Sequence, residues 1–359
     1  MRAIAITHRG IEDIAAKEIK ELIGKEAEIS ETVISFDAEK EDLFLLCYKA
    51  QSLIKVLEFI DEVEIKELDD FKKLKIDFSF KGTFAVRCIR IGEHNFNSTD
   101  VEKNVGKLVY EKTKQKVDLA NPDNLFFVYV YKNKAYFGKD HAGFDLSKRE
   151  YKIFTGAKSL KGTIAYALVR IADYNESDVM IDPFSSSGEI AIEAALFATK
   201  TPVNYFNKEK LLFKRYEGFD FEKEDKKIRN VKGKIICSDP NMKNVKAAQK
   251  NAKIAGVDKS IQFSRIDIEW LDTKLNENEV GKIITRIPEV TKFQNEKNIV
   301  KLYDEFFYQV EFILKNKGRI AVLAKNTDLF KKSAKQFKVI HEREVWSGEE
   351  AFKVLVLEK

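Results

Sequence analysis

In the second half of the chain, short apolar runs alternate with helix-length amphipathic segments, and this alternation restricts the possible folds more than any other feature. Apolar runs at 179–181 and 234–237 are followed by periodic segments at 189–198 and 244–255. Parallel strands within one sheet need such crossover helices between them. The sequence therefore predicts a mainly parallel, doubly wound α/β sheet, and its last two apolar runs are expected to form an antiparallel edge hairpin.

The first half of the chain has the pattern of smaller α+β parts. A strand-like alternation at 2–8 is followed by an amphipathic helix pattern that opens at Gly10. Further along, the pattern predicts a helix through Leu43–Leu53 and a strand at Val63–Leu68. A second set begins at Gly82, where the spacing of Thr99 and Glu102 predicts the capping box of a helix. With these patterns we divide the chain into an α+β part, a second α+β part, a basic linker and the α/β domain, at 1–75, 76–144, 145–162 and 163–359.

Composition and charge narrow the class of protein. The net charge of +5 and the pI near 8.7 are compatible with nucleic-acid binding without being diagnostic of it. The three cysteines show no C-x-x-C spacing and the four histidines no metal-ligand pattern, so we expect neither a disulfide framework nor a metal site. The sequence contains no apolar run of the about 18 residues that a membrane span needs. We expect a cytoplasmic protein without a membrane segment or a signal peptide.

Acidic and small residues follow the predicted strands of the second half, at the edge where doubly wound sheets bind ligands. Asp182, Asp239 and Asp267 each follow one strand. An acid after the second strand can accept both hydroxyls of a ribose, and an acid after the third can face an exocyclic amine. Each acid alone is equally typical of a turn or a helix cap. Together they predict a nucleotide-type site.

Several segments resemble one family over nearly the whole chain. DPFSSSGEIAIEAAL at 182–196 is similar to the DPFCGSGTIxIEAAL signature of the THUMP-containing RNA methyltransferases that modify guanine N2. SDPNMKNVKAAQKNAKIAGV resembles the segment that follows that signature, and FAVRCIRIGEHNFNSTDVEKNVGKLV with VDLANPD resembles the THUMP domain, here preceded by a ferredoxin-like part. The closing segments LYDEFFYQVEFILKNKGRIAVL and FKVLVLEK match in the same order. The resemblance implies a class I methyltransferase with a Rossmann-like fold.

The resemblance also assigns roles to residues. The methionine side of S-adenosylmethionine is expected to lie against Asp182, Phe184, Ser185 and Gly188. Asp239 is expected to hold the ribose and Asp267 the adenine. Phosphates of a tRNA are expected to contact a basic set that consists of Arg87, Arg90, Lys148, Arg149 and Lys152, and simple surface charge is the alternative for these side chains.

The chain departs from the family at the catalytic motif, which reads Asn/Asp-Pro-Pro-Tyr/Phe after the fourth strand. Here the same place reads Arg286-Ile287-Pro288-Glu289. Arginine has only donors, so Arg286 cannot accept a hydrogen bond from the reacting amine. The loop after the first strand departs too, because Ser186 replaces a glycine and Glu189 a threonine.

These departures leave three hypotheses open. The first is a tRNA-binding member of the family that has lost methyl transfer and acts as a partner, chaperone or noncatalytic subunit. The second is an active S-adenosylmethionine-dependent tRNA (guanine-N2-)methyltransferase in which Glu289 receives the hydrogen bond of the amine. The third is a noncatalytic interaction scaffold. The sequence leaves open whether the chain is an enzyme and which protein partner it has.

Overall fold

The computed structural model describes residues 1–156, 159–215 and 218–359, and these ranges contain two seven-stranded sheets. The first sheet has the order β2-β3-β1-β4-β7-β6-β5. Its strands are β1 (Arg2–Thr7), β2 (Ala27–Ser30), β3 (Val33–Asp37), β4 (Leu53–Glu64), β5 (Phe84–Ile91), β6 (Asn124–Tyr131) and β7 (Lys134–Asp140). Helices α1 (Glu12–Ile23), α2 (Lys40–Lys49) and α3 (Ser98–Thr113) belong to the same half. Since β4 pairs with both β1 and β7, the proposed boundary at residue 75 divides one continuous sheet.

The second sheet has the order β10-β9-β8-β11-β12-β14-β13, and its strands from β10 to β12 are parallel. Its strands are β8 (Met180–Asp182), β9 (Ile235–Asp239), β10 (Ile261–Arg265), β11 (Val280–Arg286), β12 (Leu314–Ala324), β13 (Lys338–Ser347) and β14 (Glu350–Glu358). The accompanying helices are α4 (Gly162–Ile171), α5 (Glu189–Thr199), α6 (Phe221–Asp225), α7 (Met242–Ala255), α8 (Glu296–Ile313) and α9 (Asp328–Ser333). This arrangement confirms the predicted doubly wound α/β domain, including its antiparallel edge hairpin.

The strand order of the second sheet determines where a ligand can bind. The chain runs from β8 to β9 on one side and returns to β11 on the other side of β8. Such a reversal opens a crevice beyond the carboxyl ends of the two central strands. One apolar core packs α4, α5 and α7 on one face of the sheet, and a second core packs α8 and α9 on the other face. Both walls of the crevice are therefore rigid.

Two local predictions for the first half are wrong. We predicted that a helix extends to residue 53 and that a strand occupies 63–68, but β4 runs over Leu53–Glu64. The helix α3 is capped by Asn97 together with Asp100, not by Thr99 with Glu102. The carboxylate of Glu102 instead accepts the backbone N–H of Cys88 at 2.9 Å, which joins α3 to β5.

The segment predicted as a linker is packed against both halves. Arg149 donates from Nε to Glu193 of α5 at 2.7 Å and from Nη2 to the backbone carbonyl of Gln51, which precedes β4. The Tyr151 hydroxyl also donates to Glu193, at 2.8 Å. These buried contacts hold the two sheets in one arrangement. Among the helices of the described ranges, none has the length and apolarity to cross a membrane.

Candidate functional site

Asp182 lies at the carboxyl end of β8, fully buried beside the crevice. Its Oδ1 accepts a hydrogen bond from the Thr285 hydroxyl of β11 at 2.6 Å and from the Phe184 N–H at 3.3 Å. Burial raises the pKa of Asp182 to about 8, and the negative charge of Asp239 adds to this rise. Within the described ranges, its Oδ2 has no hydrogen-bond partner and borders a small recess. A positively charged N–H donor at this oxygen would favour the ionised carboxylate, so the position fits an ammonium group of a ligand.

Asp239 ends β9 and holds together the wall of the cleft. Its Oδ2 accepts the backbone N–H of Ser186 at 2.9 Å, and its Oδ1 accepts the Asn241 N–H and the Asn244 amide, both at 2.9 Å. A carboxylate offers about four acceptor positions, so Asp239 retains room for one ribose hydroxyl. The sequence reading missed Asn244, although it lies only five residues after Asp239.

The loop between β8 and α5 forms a tight turn under this carboxylate. Gly188 has φ of 86°, and a Cβ there would lie 2.7 Å from the Cβ of Ala248 in α7. Ser186 has φ of 49°, a left-handed conformation that favours glycine. Glu189 is 3% exposed and accepts the hydroxyls of Ser187, at 2.8 Å, and of Ser159. The Glu189 carboxylate, which stands where the family has a threonine, thus finds hydrogen-bond donors within the protein.

A cleft of about 640 Å³ opens over these loops. It brings together residues from the ends of four strands, namely Phe184, Ser186, Asp239, Asp267, Ile268, Trp270, Arg286 and Pro288. Ser185 borders the adjoining recess with Asp182, whereas Gly188 lies behind the wall and shapes the turn. Sequence reasoning missed Trp270 and Thr285, and the position of Thr285 one residue before Arg286 on β11 was the available signal.

Arg286 occupies the end of β11, where the cleft and the recess meet. Its guanidinium carbon lies 5.1 Å from the centre of the Phe352 ring. Ile287, which follows, is buried, and the carbonyl of Pro288 accepts the Tyr303 hydroxyl of α8. Glu289 is directed to the neighbouring loop, since its Oε1 accepts the backbone N–H groups of Lys325 and Asn326 at 2.8 and 3.1 Å. The side chain at the first position of the motif is therefore a hydrogen-bond donor.

The basic residues predicted to bind tRNA lie in different environments. Arg87 and Arg90 on β5 are half-buried and donate to the carbonyls of Leu119 and Gly92. Lys148 is exposed, and Lys152 is partly buried with its ammonium on the Leu160 carbonyl.

The prediction for Arg149 is corrected by the structure. Its side chain is 1% exposed and its charge is compensated by Glu193, which is fully buried. A guanidinium in this position cannot reach a phosphate. The described ranges also show no group of three His, Cys, Asp or Glu side chains placed to hold a metal ion.

Comparison with known proteins places this cleft in a family. Residues 149–351, more than half of the chain, match the RMKL-like methyltransferase domain described as UPF0020, and residues 60–140 match the THUMP domain. The chain belongs to the RMKL-like methyltransferase family. This membership confirms the sequence-based prediction of a THUMP domain joined to an S-adenosylmethionine-dependent methyltransferase fold.

Relatives within the family match along nearly the full length. The tRNA (guanine(6)-N2)-methyltransferase of Methanocaldococcus jannaschii is 32% identical over 344 residues, which cover 90% of each chain. The enzyme of the same name from Archaeoglobus fulgidus is 29% identical over 371 residues, with 99% of this chain and 92% of the relative covered. The crystal structure of TrmN from Thermus thermophilus has a TM-score of 0.73 at 25% identity, covering 100% of this chain and 99% of that one.

Proposed function

We propose that this family member binds tRNA and an S-adenosylmethionine-type nucleoside but does not transfer the methyl group. The observation that carries the proposal is Arg286 at the end of β11, where the methyl acceptor would have to be held.

The described residues fit the nucleoside. The free Oδ2 of Asp182 can accept an N–H of the methionine ammonium, and the remaining acceptor position of Asp239 can take a ribose hydroxyl. Asp267 and Ile268 border the far end of the cleft, as an adenine requires. When bound in the active members of such families, this cofactor supplies an electrophilic methyl group. In this chain, the residues bind and orient the nucleoside.

The acceptor side lacks what transfer to an exocyclic amine needs. Such transfer depends on positioning, because the amine lone pair must point at the methyl group, and a hydrogen-bond acceptor enforces that orientation. Arg286 offers five donors and no acceptor, and Ile287 is apolar and buried. The Oε1 of Glu289 already accepts hydrogen bonds from two backbone N–H groups in the connection between β12 and α9. As the side chains of residues 286–289 are arranged, none offers an acceptor that would orient an amine.

The RNA is inferred from the first half of the chain. The THUMP match covers residues 60–140, and two full-length relatives are named as tRNA methyltransferases. The chain carries a net charge of +5, and Arg87 and Arg90 lie on the edge strand β5 of the first sheet. Contacts between arginine side chains and phosphates position a nucleic acid without distinguishing its base sequence. We therefore propose tRNA as the ligand class.

A second candidate is an active tRNA (guanine-N2-)methyltransferase that uses Glu289. The identity of 32% to a named enzyme along 90% of the chain favours it. Its requirement is that the second oxygen of Glu289 turn toward the cleft while the first keeps its backbone contacts. The two candidates differ in one measurable quantity, which is the transfer of a labelled methyl group.

The test combines three measurements on the full chain and on Asp239→Ala. Titration calorimetry with S-adenosylhomocysteine and a gel shift with a mixed tRNA preparation at low salt should both show binding, and the nucleoside affinity should be lost in the variant. Incubation with methyl-labelled S-adenosylmethionine and the same tRNA should give no labelled RNA. Labelling that disappears in Asp239→Ala would establish the active enzyme instead. Absence of any tRNA shift would favour the interaction scaffold.

A further inference from the structure

Two aromatic side chains are exposed at the mouth of the cleft. Phe293 is 98% exposed and immediately precedes Gln294, a residue that borders the cleft. Trp270 is 57% exposed and itself borders the cleft from the β10 side. An exposed ring gains no free energy from burial within its own chain, so its faces are available to a ligand.

The backbone around Phe293 holds its ring outward. Thr291 and Gln294 form two reciprocal backbone hydrogen bonds, at 3.0 and 3.2 Å, across a tight turn. The Thr291 hydroxyl accepts the N–H of Phe293 at 3.2 Å. Asn295, which follows Gln294, caps α8 by accepting the N–H of Asn298 at 3.0 Å. Because the turn is fixed internally and at its exit, the exposure of Phe293 is built into the fold.

Trp270 is fixed in a comparable way. It ends the short 3-10 turn Ile268–Trp270, and its backbone N–H donates to the carbonyl of Asp267 at 3.0 Å. Its own carbonyl accepts the Thr273 hydroxyl at 2.9 Å. Trp270 thus belongs to a hydrogen-bonded turn that lines the cleft, and Phe293 to a second hydrogen-bonded turn whose last residue, Gln294, also lines it.

We propose that Trp270 and Phe293 form a stacking rim that holds an unpaired base of the bound RNA at the mouth of the cleft. Polar residues surround the rings: Glu269 is exposed beside Trp270, and Lys292 is exposed beside Phe293. Among the exposed large apolar side chains of the described residues, Val290 at 48% exposure is the one within five residues of either ring in sequence, so the exposed apolar surface here consists mainly of ring faces. Flat rings with polar surroundings are what a base requires, because every base has a face that stacks and edges that need water or polar groups.

This inference rests on the proposed RNA binding. It adds to that binding a stacking contact that does not depend on charge. Phosphate contacts weaken steeply as salt rises, whereas the stacking of a neutral ring does not release counterions. The two kinds of contact are therefore separable in a salt titration. Phe206 supplies a matched control, since it is 65% exposed and packs beside Gly256 at the carboxyl end of α7. The cleft lies at the amino end of that helix, about 21 Å away for fourteen residues.

The experiment measures the dissociation constant of a fluorescein-labelled tRNA transcript for the full chain, Phe293→Ala, Phe293→Trp and Phe206→Ala at several salt concentrations. Phe293→Ala should weaken binding about tenfold at every salt concentration and leave the salt slope unchanged. Phe293→Trp should restore the affinity, and Phe206→Ala should match the unaltered chain. In a Trp346→Phe background, tRNA should quench the fluorescence of Trp270, then the sole tryptophan.

Three outcomes overturn the inference in distinguishable ways. If the unaltered chain does not bind tRNA, the proposed function fails and the stacking rim fails with it. If the chain binds and Phe293→Ala binds equally well, the rim is wrong and the proposed function stands. If Phe293→Ala leaves the RNA affinity unchanged but converts a dimer into a monomer in size-exclusion chromatography, the ring is assigned to a contact between protein copies.

Discussion

At the residue scale, the charge of Arg286 bears on which form of the nucleoside the cleft favours. S-adenosylmethionine carries a sulfonium cation, whereas S-adenosylhomocysteine carries a neutral thioether. Arg286 borders the recess beside Asp182, on the side where the methionine part is expected. At an effective dielectric constant near 20, a second unit charge roughly 8 Å away costs about 2 kcal/mol. The guanidinium therefore disfavours the sulfonium relative to the thioether.

We expect Arg286→Asn to improve the affinity for S-adenosylmethionine about tenfold relative to the affinity for S-adenosylhomocysteine, which corresponds to about 1.4 kcal/mol. Titration calorimetry with both nucleosides measures the ratio for each protein. Arg286→Lys is the matched control, because it keeps the positive charge and should keep the ratio of the unaltered chain. An equal ratio in Arg286→Asn and Arg286→Lys would show that the charge does not act on the sulfonium.

The buried carboxyl group of Asp182 makes the stability of the fold depend on pH. Burial raises its pKa to about 8, so between about pH 4 and pH 8 the unfolded chain releases a proton that the folded chain retains. The unfolded state gains from this release, and stability falls as pH rises through that window. An asparagine has nearly the same shape, can accept from the Thr285 hydroxyl, and does not titrate.

The expected result is a melting temperature that falls less steeply between pH 5 and pH 8 in Asp182→Asn than in the unaltered chain. Circular dichroism melts at unit steps of pH give the difference between the two proteins. Asp328→Asn, at an exposed position on α9, is the control and should follow the unaltered chain. If the Asp182→Asn curve stayed parallel to that of the unaltered chain, Asp182 would be ionised in the folded protein.

At the scale of elements, the loop after β11 is attached to the body of the domain by a side chain. Glu289 receives two N–H groups of the connection between β12 and α9, and Tyr303 of α8 donates to the carbonyl of Pro288. This loop leads into the turn that presents Phe293. The acid that replaces the family aromatic residue therefore has a structural contact in this chain.

Glu289→Ala should lower the free energy of unfolding by about 1 kcal/mol, since two backbone donors lose a partly exposed acceptor. Glu289→Gln should retain most of this stability, because its amide oxygen can accept the same N–H groups. Urea unfolding measures both differences. A structural role further requires that neither variant change the affinity for S-adenosylhomocysteine. Methyl transfer that is present in the unaltered chain and absent in Glu289→Gln would assign the carboxylate to catalysis.

The sequence pattern predicted the helices and strands of the second sheet better than those of the first. The alternation of strands and helices sufficed for the second sheet, because each crossover helix has its own periodicity and each strand is a short apolar run. It failed for β4, whose sequence LIKVLEFIDEVE interrupts its apolar run with charges. Lys55 of this strand is buried because Asp140 of β7, distant in sequence, forms an ion pair with it. Such a pairing is invisible to local pattern.

Some residues of the candidate site could likewise be predicted from the sequence, and others could not. Asp182, Asp239 and Asp267 were predictable because strand ends in a doubly wound sheet converge. The burial of Arg149 depends on Glu193, forty-four residues away, so no short sequence window contains that fact. The family resemblance therefore assigned Arg149 to RNA, and three-dimensional packing assigns it to the contact between the two halves.

At the scale of the whole molecule, that reassignment makes Arg149 the centre of the contact between the two sheets. Its guanidinium joins Glu193 of the methyltransferase domain to the Gln51 carbonyl of the first half, and Gln51 returns a hydrogen bond to Glu193 at 2.7 Å. A second ion pair, Arg170 with Glu21, crosses the same boundary at 2.6 Å. The first half of the chain is thus joined to the cleft-bearing half through buried contacts.

Removing the guanidinium leaves a buried carboxylate without its countercharge, and such losses cost about 3–5 kcal/mol. Arg149→Ala should therefore lower the melting temperature strongly, whereas Lys148→Ala, at the adjacent exposed position, should cost less than about 0.5 kcal/mol. Calorimetric melts compare the two variants. At a temperature where both remain folded, the salt slope of tRNA binding should be unchanged in Arg149→Ala, because a buried charge displaces no counterion. A lower slope in Arg149→Ala with an unchanged melting temperature would return this residue to the RNA surface.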